Sequence, residues 1–145
     1  KELGGKIQLC VWDFNNGFDN YQWFAMDIEA FYTAGNYWFD RLLQDRAFVD
    51  RVVERYEELR KGSLSDEHIE DVLSGGVDLL GDAVDRNFAV WGYTFDKGMV
   101  IDEDDEPSRD PTSYAEALSM LKTTIRERLA FLDENLDSLY AGCIN

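Results

Sequence analysis

The chain has 145 residues, of which 45% are hydrophobic and 14% aromatic, and its formal charge is −16 at pH 7. This length and composition predict one folded domain with its own core rather than a disordered segment. The charge argues against nucleic acid and anionic membrane surfaces as partners, because phosphate groups would be repelled, and it favours a cationic partner or a metal ion. No apolar run approaches the roughly 18 residues of a membrane span, and no signal peptide opens the chain.

The first predicted element is a strand at residues 6–12. Ile7, Leu9 and Val11 come at every second position, which is the spacing of a half-buried strand. A two-stranded hairpin is only marginally stable alone. We therefore expect the natural sheet to lie partly outside this sequence, and residues 1–35 to be poorly ordered or to pair with another chain.

The sequence after about Asn36 predicts helices. Asn36 can cap a helix that runs to about Gln44, with Trp38, Leu42 and Leu43 on its apolar face. Asp45 can cap a second helix over residues 46–61, which Gly62 ends. The second helix has a regular apolar face, formed by Phe48, Val49, Val52, Val53, Tyr56 and Leu59.

Ser65 is the predicted cap of a third helix, whose first turn is acidic. Its apolar stripe continues across Gly75-Gly76, so we expect one helix, straight or kinked, to about Val90, although two glycines cost roughly 2 kcal/mol relative to alanines. The stripe comprises Ile69, Val72, Leu73, Val77, Leu80, Val84, Phe88 and Trp91.

A loop at 92–111 separates this helix from the last one. Ser113 and Glu116 have the spacing of a capping box, and a helix follows from Tyr114 to about Leu139. Its apolar stripe comprises Ala117, Leu118, Leu121, Ile125, Leu129, Leu132 and Leu136. The predicted fold is mainly α: a short β-hairpin head at residues 1–35, then a bundle of about four helices at 36–145, in one domain truncated at its N-terminus.

Asp13 is the strongest candidate for a functional residue. It stands at the end of the predicted strand and is followed by Asn15, Asn16 and Asp19, whose oxygens suit Mg²⁺ or Ca²⁺. The spacing is not that of an EF-hand loop, because the glycine is misplaced and the closing glutamate is absent. An Asx-turn that leaves a strand explains the same residues without a metal.

Other candidates have simpler explanations. The acidic run 102–106 could bind a cation, but such runs are usually solvated. His68 is the only histidine, which excludes a histidine pair or a Ser-His-Asp triad. The aromatic residues of 18–39 suit either a carbohydrate platform or, more simply, core. Cys10 and Cys143 could pair only if the fold brings the ends of the chain together.

Several short motifs follow one another along the chain. They are Gly4-Gly5-Lys6 leading to Trp12-Asp13-Phe14, then Trp38-Phe39-x-Arg41-Leu42-Leu43-x-Asp45-x-Ala47-Phe48-Val49, Arg55-Tyr56-x-x-Leu59-Arg60, Asn87-Phe88-x-x-Trp91, and Leu121-Lys122 with Arg126-x-Arg128-Leu129-x-x-Leu132-Asp133. In this order they resemble the C-terminal part of the CotH-type spore-coat kinases, a branch of the protein-kinase-like superfamily, over about residues 4–136.

The resemblance implies a role for Asp13. The Trp-Asp-Phe segment is similar to the metal-binding Asp-Phe-Gly of protein kinases, whose aspartate holds Mg²⁺ (or Mn²⁺) against the phosphates of ATP. Asn15 stands where the family commonly has a second acid, and its amide oxygen brings no charge. The implied metal ligands are Asp13 and Asn15, and Asp13 contacts ATP through the metal.

The resemblance also implies what lies elsewhere. The nucleotide-anchoring lysine, its glutamate partner and the catalytic aspartate would come before Lys1, so we expect no catalytic residue in this chain. Residues 6–39 would contact the missing N-terminal part or another subunit. The expected function is phosphoryl transfer from ATP to a protein substrate, at a spore coat, cell surface or extracellular location. The alternative is a non-catalytic helical interaction module with a degenerate kinase site.

Overall fold

The computed structural model describes residues 4–5, 18, 27–31, 37–91 and 111–144, and most of these are helical. No strand occurs among them, and the mainly helical class is confirmed for these residues. The predicted hairpin, the Asn36 cap and the acidic run lie outside the described residues, so they stay predictions. No helix in the described ranges is both long and apolar enough to cross a membrane.

The helices follow the order expected from the sequence. Within the described ranges they are α1 (Tyr37–Leu42), α2 (Arg46–Arg60), α3 (Asp66–Leu80), α4 (Ala83–Trp91), α5 (Tyr114–Asn135) and a 3₁₀-helix at Leu136–Gly142.

Two helices begin at the predicted caps. The Asp45 carboxylate accepts a hydrogen bond from the Ala47 N–H at 2.9 Å, and the Ser65 hydroxyl accepts one from the His68 N–H at 3.2 Å. Both capping residues have extended backbone angles. Each side chain satisfies a backbone donor that the helix itself leaves without a partner.

The predicted capping box at the start of α5 forms with one difference. The Ser113 hydroxyl accepts from the Glu116 N–H at 3.1 Å, as expected. The Glu116 carboxylate reaches back to Thr112 and accepts from both its N–H and its hydroxyl at 2.6 Å. These bonds lower the pKa of Glu116 below its ordinary value.

The prediction of one continuous helix from Ser65 to Val90 is wrong. The chain stays helical through Gly75-Gly76, but α3 and α4 are separate helices with Gly81 between them. Gly81 has a φ of +42° and its N–H donates to the Val77 carbonyl at 3.0 Å. Glycine adopts positive φ without steric cost, so it commonly terminates helices.

The last helix also ends earlier than expected. We predicted helix to about Leu139, whereas α5 ends at Asn135 and the next seven residues form the 3₁₀-helix. The apolar spacing of these residues does not distinguish the two helix types, because 3₁₀ turns commonly finish α-helices.

The core lies between α2 and α5. Val49 on α2 has no exposed surface and Leu129 on α5 is 8% exposed. The rest of the predicted apolar faces of these two helices is half-buried. The periodicity of both helices therefore identified the side that turns inward.

The predicted faces of the other helices are only partly covered. Val72, Leu80 and Trp91 are 59%, 50% and 78% exposed, although the stripe of the third predicted helix included them. Trp38 and Leu42, expected to face inward from α1, are 75% and 43% exposed. Helical spacing shows which residues share a face, but not whether another element packs on it.

The cap at Ser65 gives a test of the fold. Ser65→Ala removes the acceptor for the His68 N–H, so we expect the free energy of unfolding to fall by about 1 kcal/mol. Urea denaturation followed by circular dichroism measures this. Ser119→Ala, at an exposed position inside α5, is the matched control and should leave stability equal or slightly higher. Equal destabilisation by both variants would contradict the assigned cap.

Candidate functional site

The predicted metal ligands Asp13 and Asn15 lie outside the described residues, so this site stays a prediction. Among the described ranges, no group of three or more histidine, cysteine, aspartate or glutamate side chains could hold a metal ion. What the structure does show is the helical frame that follows the Asp13 segment and how it is joined.

Arg60, at the end of α2, joins three segments of the chain. Its Nε and Nη2 atoms each donate to the Asp133 carboxylate of α5 at 2.9 Å, in a bidentate pair. Its Nη1 donates to Asp66 in the first turn of α3 at 2.9 Å and to the carbonyl oxygen of Leu64. We call these four residues the Arg60 junction.

Tyr56 adds a second link between α2 and α5. Its hydroxyl lies 2.7 Å from Asp133 Oδ1 and 3.3 Å from the Leu129 carbonyl oxygen. A phenol has one proton to donate, so the shorter contact with the carboxylate is the stronger hydrogen bond. Burial, and then the bond to Asp133, raise the pKa of Tyr56 above its ordinary value.

The charges of the junction are stabilised in their ionised forms. Burial opposes ionisation of Asp133, but hydrogen bonds from Arg60 and Tyr56 outweigh it and hold the pKa of the carboxyl below its ordinary value. The bond to Asp133 likewise raises the pKa of Arg60. The side chains of Arg60 and Asp133 are 21% and 40% exposed, so solvent screens part of their attraction.

A groove of about 540 Å³ opens between α2 and α5 beside the junction, and Tyr56, Arg60 and Asp133 are among its lining residues. Arg60 already donates four of its five N–H groups within the protein. Arg60 therefore has one N–H group left for a ligand in the groove, and the junction acts as a joint between helices.

A second arginine holds a short N-terminal segment against α5. Arg128 Nη1 donates to the carbonyl oxygens of Ile28 and Ala30 at 2.6 Å each. Its guanidinium lies 5.3 Å from the centre of the Phe131 ring, and the Phe31 ring packs on Phe131 at 5.3 Å. The chain that follows the Asp13 segment is thus fixed to the last long helix.

The 3₁₀-helix and the residues after it close onto the start of α2. The Tyr140 hydroxyl donates to Asp50 at 2.9 Å, and the Arg46 guanidinium lies 5.2 Å from the Tyr140 ring centre. The Ile144 N–H donates to the Gln44 carbonyl at 3.1 Å. Both ends of α2 are therefore tied to the last elements of the chain.

Contacts with α3 complete the frame. Lys122 of α5 forms an ion pair with Glu70 of α3, and Ser74 donates to the same carboxylate at 3.2 Å. The bond from Lys122, and to a smaller degree that from Ser74, lowers the pKa of Glu70. This exposed pair lies on the side of α3 that faces α5.

The remaining sequence candidates have ordinary surroundings. His68 is exposed, and its backbone N–H donates to the Ser65 hydroxyl that caps α3. Cys143 is a half-buried free thiol 3.7 Å from the Leu43 carbonyl oxygen. Its possible partner, Cys10, lies outside the described residues.

The aromatic residues of 18–39 divide into two groups. Phe31 packs on α5, as expected for core. Phe18, Tyr37 and Trp38 are 59%, 74% and 75% exposed, so the core interpretation does not hold for them. Phe39 is 39% exposed and belongs to neither group clearly. The carbohydrate platform stays a prediction, and Tyr21, Trp23, Phe24 and Tyr32 lie outside the described residues.

The residues of the Arg60 junction and Tyr56 were not singled out as a site from the sequence, although two of the motifs contain most of them. Tyr56 and Arg60 are four residues apart on α2, and Leu129 and Asp133 are four residues apart on α5. Residues at this spacing share one helix face. The two motifs therefore meet across the α2–α5 interface. A tyrosine and an arginine at this spacing in one motif, and an aspartate in the other, were the sequence features that could have predicted the junction.

A comparison with protein families identifies the family of this chain. The family model described as CotH kinase protein matches residues 1–132, which is most of the chain and includes the Trp12-Asp13-Phe14 segment. The chain belongs to the CotH kinase protein family. No curated protein and no solved structure matches it.

The junction predicts a large difference between two arginines of α2. Arg60→Ala leaves Asp133 partly buried without its bidentate partner, so the free energy of unfolding should fall by about 2 kcal/mol. Arg55 pairs with Glu58 at 2.5 Å, but both side chains are more than half exposed. Arg55→Ala should therefore change stability by less than about 0.5 kcal/mol. Urea denaturation of both variants tests this, and similar losses would contradict the role given to Arg60.

The junction also predicts a pH dependence. Because the folded state lowers the pKa of Asp133, its contribution is present above the ordinary aspartate pKa of about 3.9 and is lost as pH falls through the folded-state pKa. The stability difference between wild type and Asp133→Asn should be constant near pH 7 and shrink toward zero in acid. Urea titrations between about pH 7 and pH 2 measure it. A constant difference over that range would contradict the assignment.

Proposed function

We propose that this chain supplies the metal-ligand segment and the helical lobe of a CotH-like kinase, which transfers the γ-phosphoryl group of ATP to protein hydroxyls. The observation that carries the proposal is the family match over residues 1–132. That match spans Asp13 and Arg60, and it ends one residue before Asp133.

Asp13 would hold Mg²⁺ or Mn²⁺, and Asn15 would be the second ligand. Carboxylate and amide oxygens are the hard donors that these cations accept. When bound, the metal neutralises charge on the phosphates and orients them for in-line transfer. With Asn15 in place of an acid, the site carries one negative charge less, which weakens metal binding by the protein alone.

The helical frame supports this role physically. A metal ligand is useful only when its carboxylate is held in place. Arg128 fixes residues 28 and 30, which follow the Asp13 segment in sequence, to α5. The Arg60 junction in turn fixes α5 to α2 and α3.

We propose that the 145 residues alone do not turn over ATP. No aspartate precedes Asp13 in this sequence. In the kinase-like pattern the catalytic aspartate and the nucleotide-anchoring lysine both come before the metal-binding aspartate. Activity would therefore belong to the full-length protein, at a spore coat, cell surface or extracellular location in keeping with the family.

A second function is favoured by one observation. Tyr37, Trp38, Leu79 and Trp91 are each more than 70% exposed, which is unusual for large apolar side chains of an isolated domain. Together with Asn15 this favours a non-catalytic helical interaction module with a degenerate kinase site. ATP turnover separates the two functions.

The kinase proposal predicts that Asp13→Ala abolishes activity. The full-length protein should bind ATP in the presence of Mg²⁺ and hydrolyse or transfer its γ-phosphate. Asp13→Ala should lower the rate by at least about 100-fold, because the metal loses its charged ligand. The matched control is Glu54→Ala, at an exposed position on α2, which should keep the wild-type rate.

Titration of Mg²⁺-ATP by calorimetry and a radiolabelled-ATP assay measure binding and turnover. Absence of nucleotide binding by the wild type would overturn the kinase proposal and leave the interaction module. Turnover that is unchanged by Asp13→Ala would remove Asp13 from the site. Turnover by the 145-residue chain alone would contradict the proposal that ATP turnover requires the full-length protein.

A further inference from the structure

An exposed face of α3 has an unusual composition. Val72, Gly75, Gly76 and Leu79 share this face, since positions separated by three, four and seven residues lie on one side of a helix. Val72 is 59% exposed and Leu79 is 88% exposed. Both glycines are exposed as well. We call this surface the α3 glycine face.

The glycines have no packing role within the described structure. A Cβ added to Gly75 or Gly76 would meet no atom within 4 Å, and neither residue has positive φ. Alanine would fit both positions and would favour the helix, because glycine has the poorest helix propensity after proline. A flat, Cβ-free stretch between two exposed apolar side chains permits close approach by a second backbone.

Acidic side chains line one edge of the α3 glycine face. Glu67, Asp71 and Asp78 are exposed and, from their helical spacing, form one row beside it. The whole of α3 has five acidic residues and no lysine or arginine. A second copy of this chain would bring the same acids and a net charge of −16, so charge disfavours self-association and favours a cationic occupant.

We propose that the α3 glycine face is a docking site for a basic amphipathic helix of a protein partner. The apolar side of that helix would cover Val72 and Leu79 and cross at Gly75-Gly76, and its lysine or arginine side chains would pair with the acidic row. This is the helix-in-groove mode of recognition, in which apolar anchors give affinity and flanking charges give orientation. The proposal does not depend on ATP turnover.

The first test uses the full-length protein and a synthetic helical peptide with leucine on one side and lysine on its flanks. Isothermal titration calorimetry gives its affinity. Gly75→Ala/Gly76→Ala should raise the melting temperature, because alanine favours the helix, and should weaken peptide binding about tenfold, because two methyl groups hold the partner away. A variant with a damaged fold would lose both stability and affinity. A higher melting temperature together with weaker binding therefore indicates a docking face. Gly62→Ala, at another position with open space around it, should leave the affinity unchanged.

The second test separates the acidic row from general attraction to a negative protein. Two triple variants remove the same charge from different places. They are Glu67→Gln/Asp71→Asn/Asp78→Asn on α3, and Glu127→Gln/Glu134→Gln/Asp137→Asn at exposed positions at the other end of the sequence. Only the first should weaken binding and reduce its dependence on salt.

Equal effects of the two triple variants would overturn the proposal, since binding would then reflect net charge alone. Absence of peptide binding to the full-length protein would overturn it as well. So would concentration-dependent dimerisation that Gly75→Ala/Gly76→Ala abolishes, because the occupant would then be a second copy of the chain.

Discussion

The bidentate pair between Arg60 and Asp133 is the constraint on which the described structure depends. One guanidinium bonds to α5, to the first turn of α3 and to the connection between α2 and α3. The apolar core is small, with Val49 and Leu129 as its buried members in the described ranges. Apolar contacts are not directional, whereas a planar fork that pairs with a carboxylate specifies angle and register. The orientation of the helices therefore rests on this polar junction more than on core volume.

The position of α5 has consequences beyond the helices. Its Arg128 and Phe131 hold the segment that follows Asp13, and its Lys122 pairs with α3. A displacement of α5 would move all of these contacts together. The arginines of α2 and α5 therefore hold residues 28–31 and the helices α2, α3 and α5 together.

Local signals predicted the parts of the fold that depend on local chemistry. Ser65 and Ser113 cap the expected helices, because a hydroxyl before a helical run satisfies the same donors in any context. The helix break at Gly81 was not predicted, because the apolar stripe keeps its helical spacing on both sides of this residue. The exposure of Val72 and Trp91 was beyond prediction, since periodicity does not reveal what packs on a face. For Asp13, alternation and oxygen ligands fitted an Asx-turn better than a metal site, and only the order of distant motifs indicated a metal.

Charge and exposed apolar area are the two physical grounds for the partners proposed for this chain. A net charge of −16 destabilises the compact state by self-repulsion, and a core this small offers limited compensation. A cation at Asp13 and a basic helix on α3 would each relieve repulsion, and each would stabilise the folded state by binding to it alone. The two sites use different chemistry: a carboxylate and an amide oxygen at one, and an apolar face beside an acidic row at the other. Because the two proposed sites share no residue, a substitution at one is expected to leave the ligand groups of the other unchanged, so the two proposals can be tested separately.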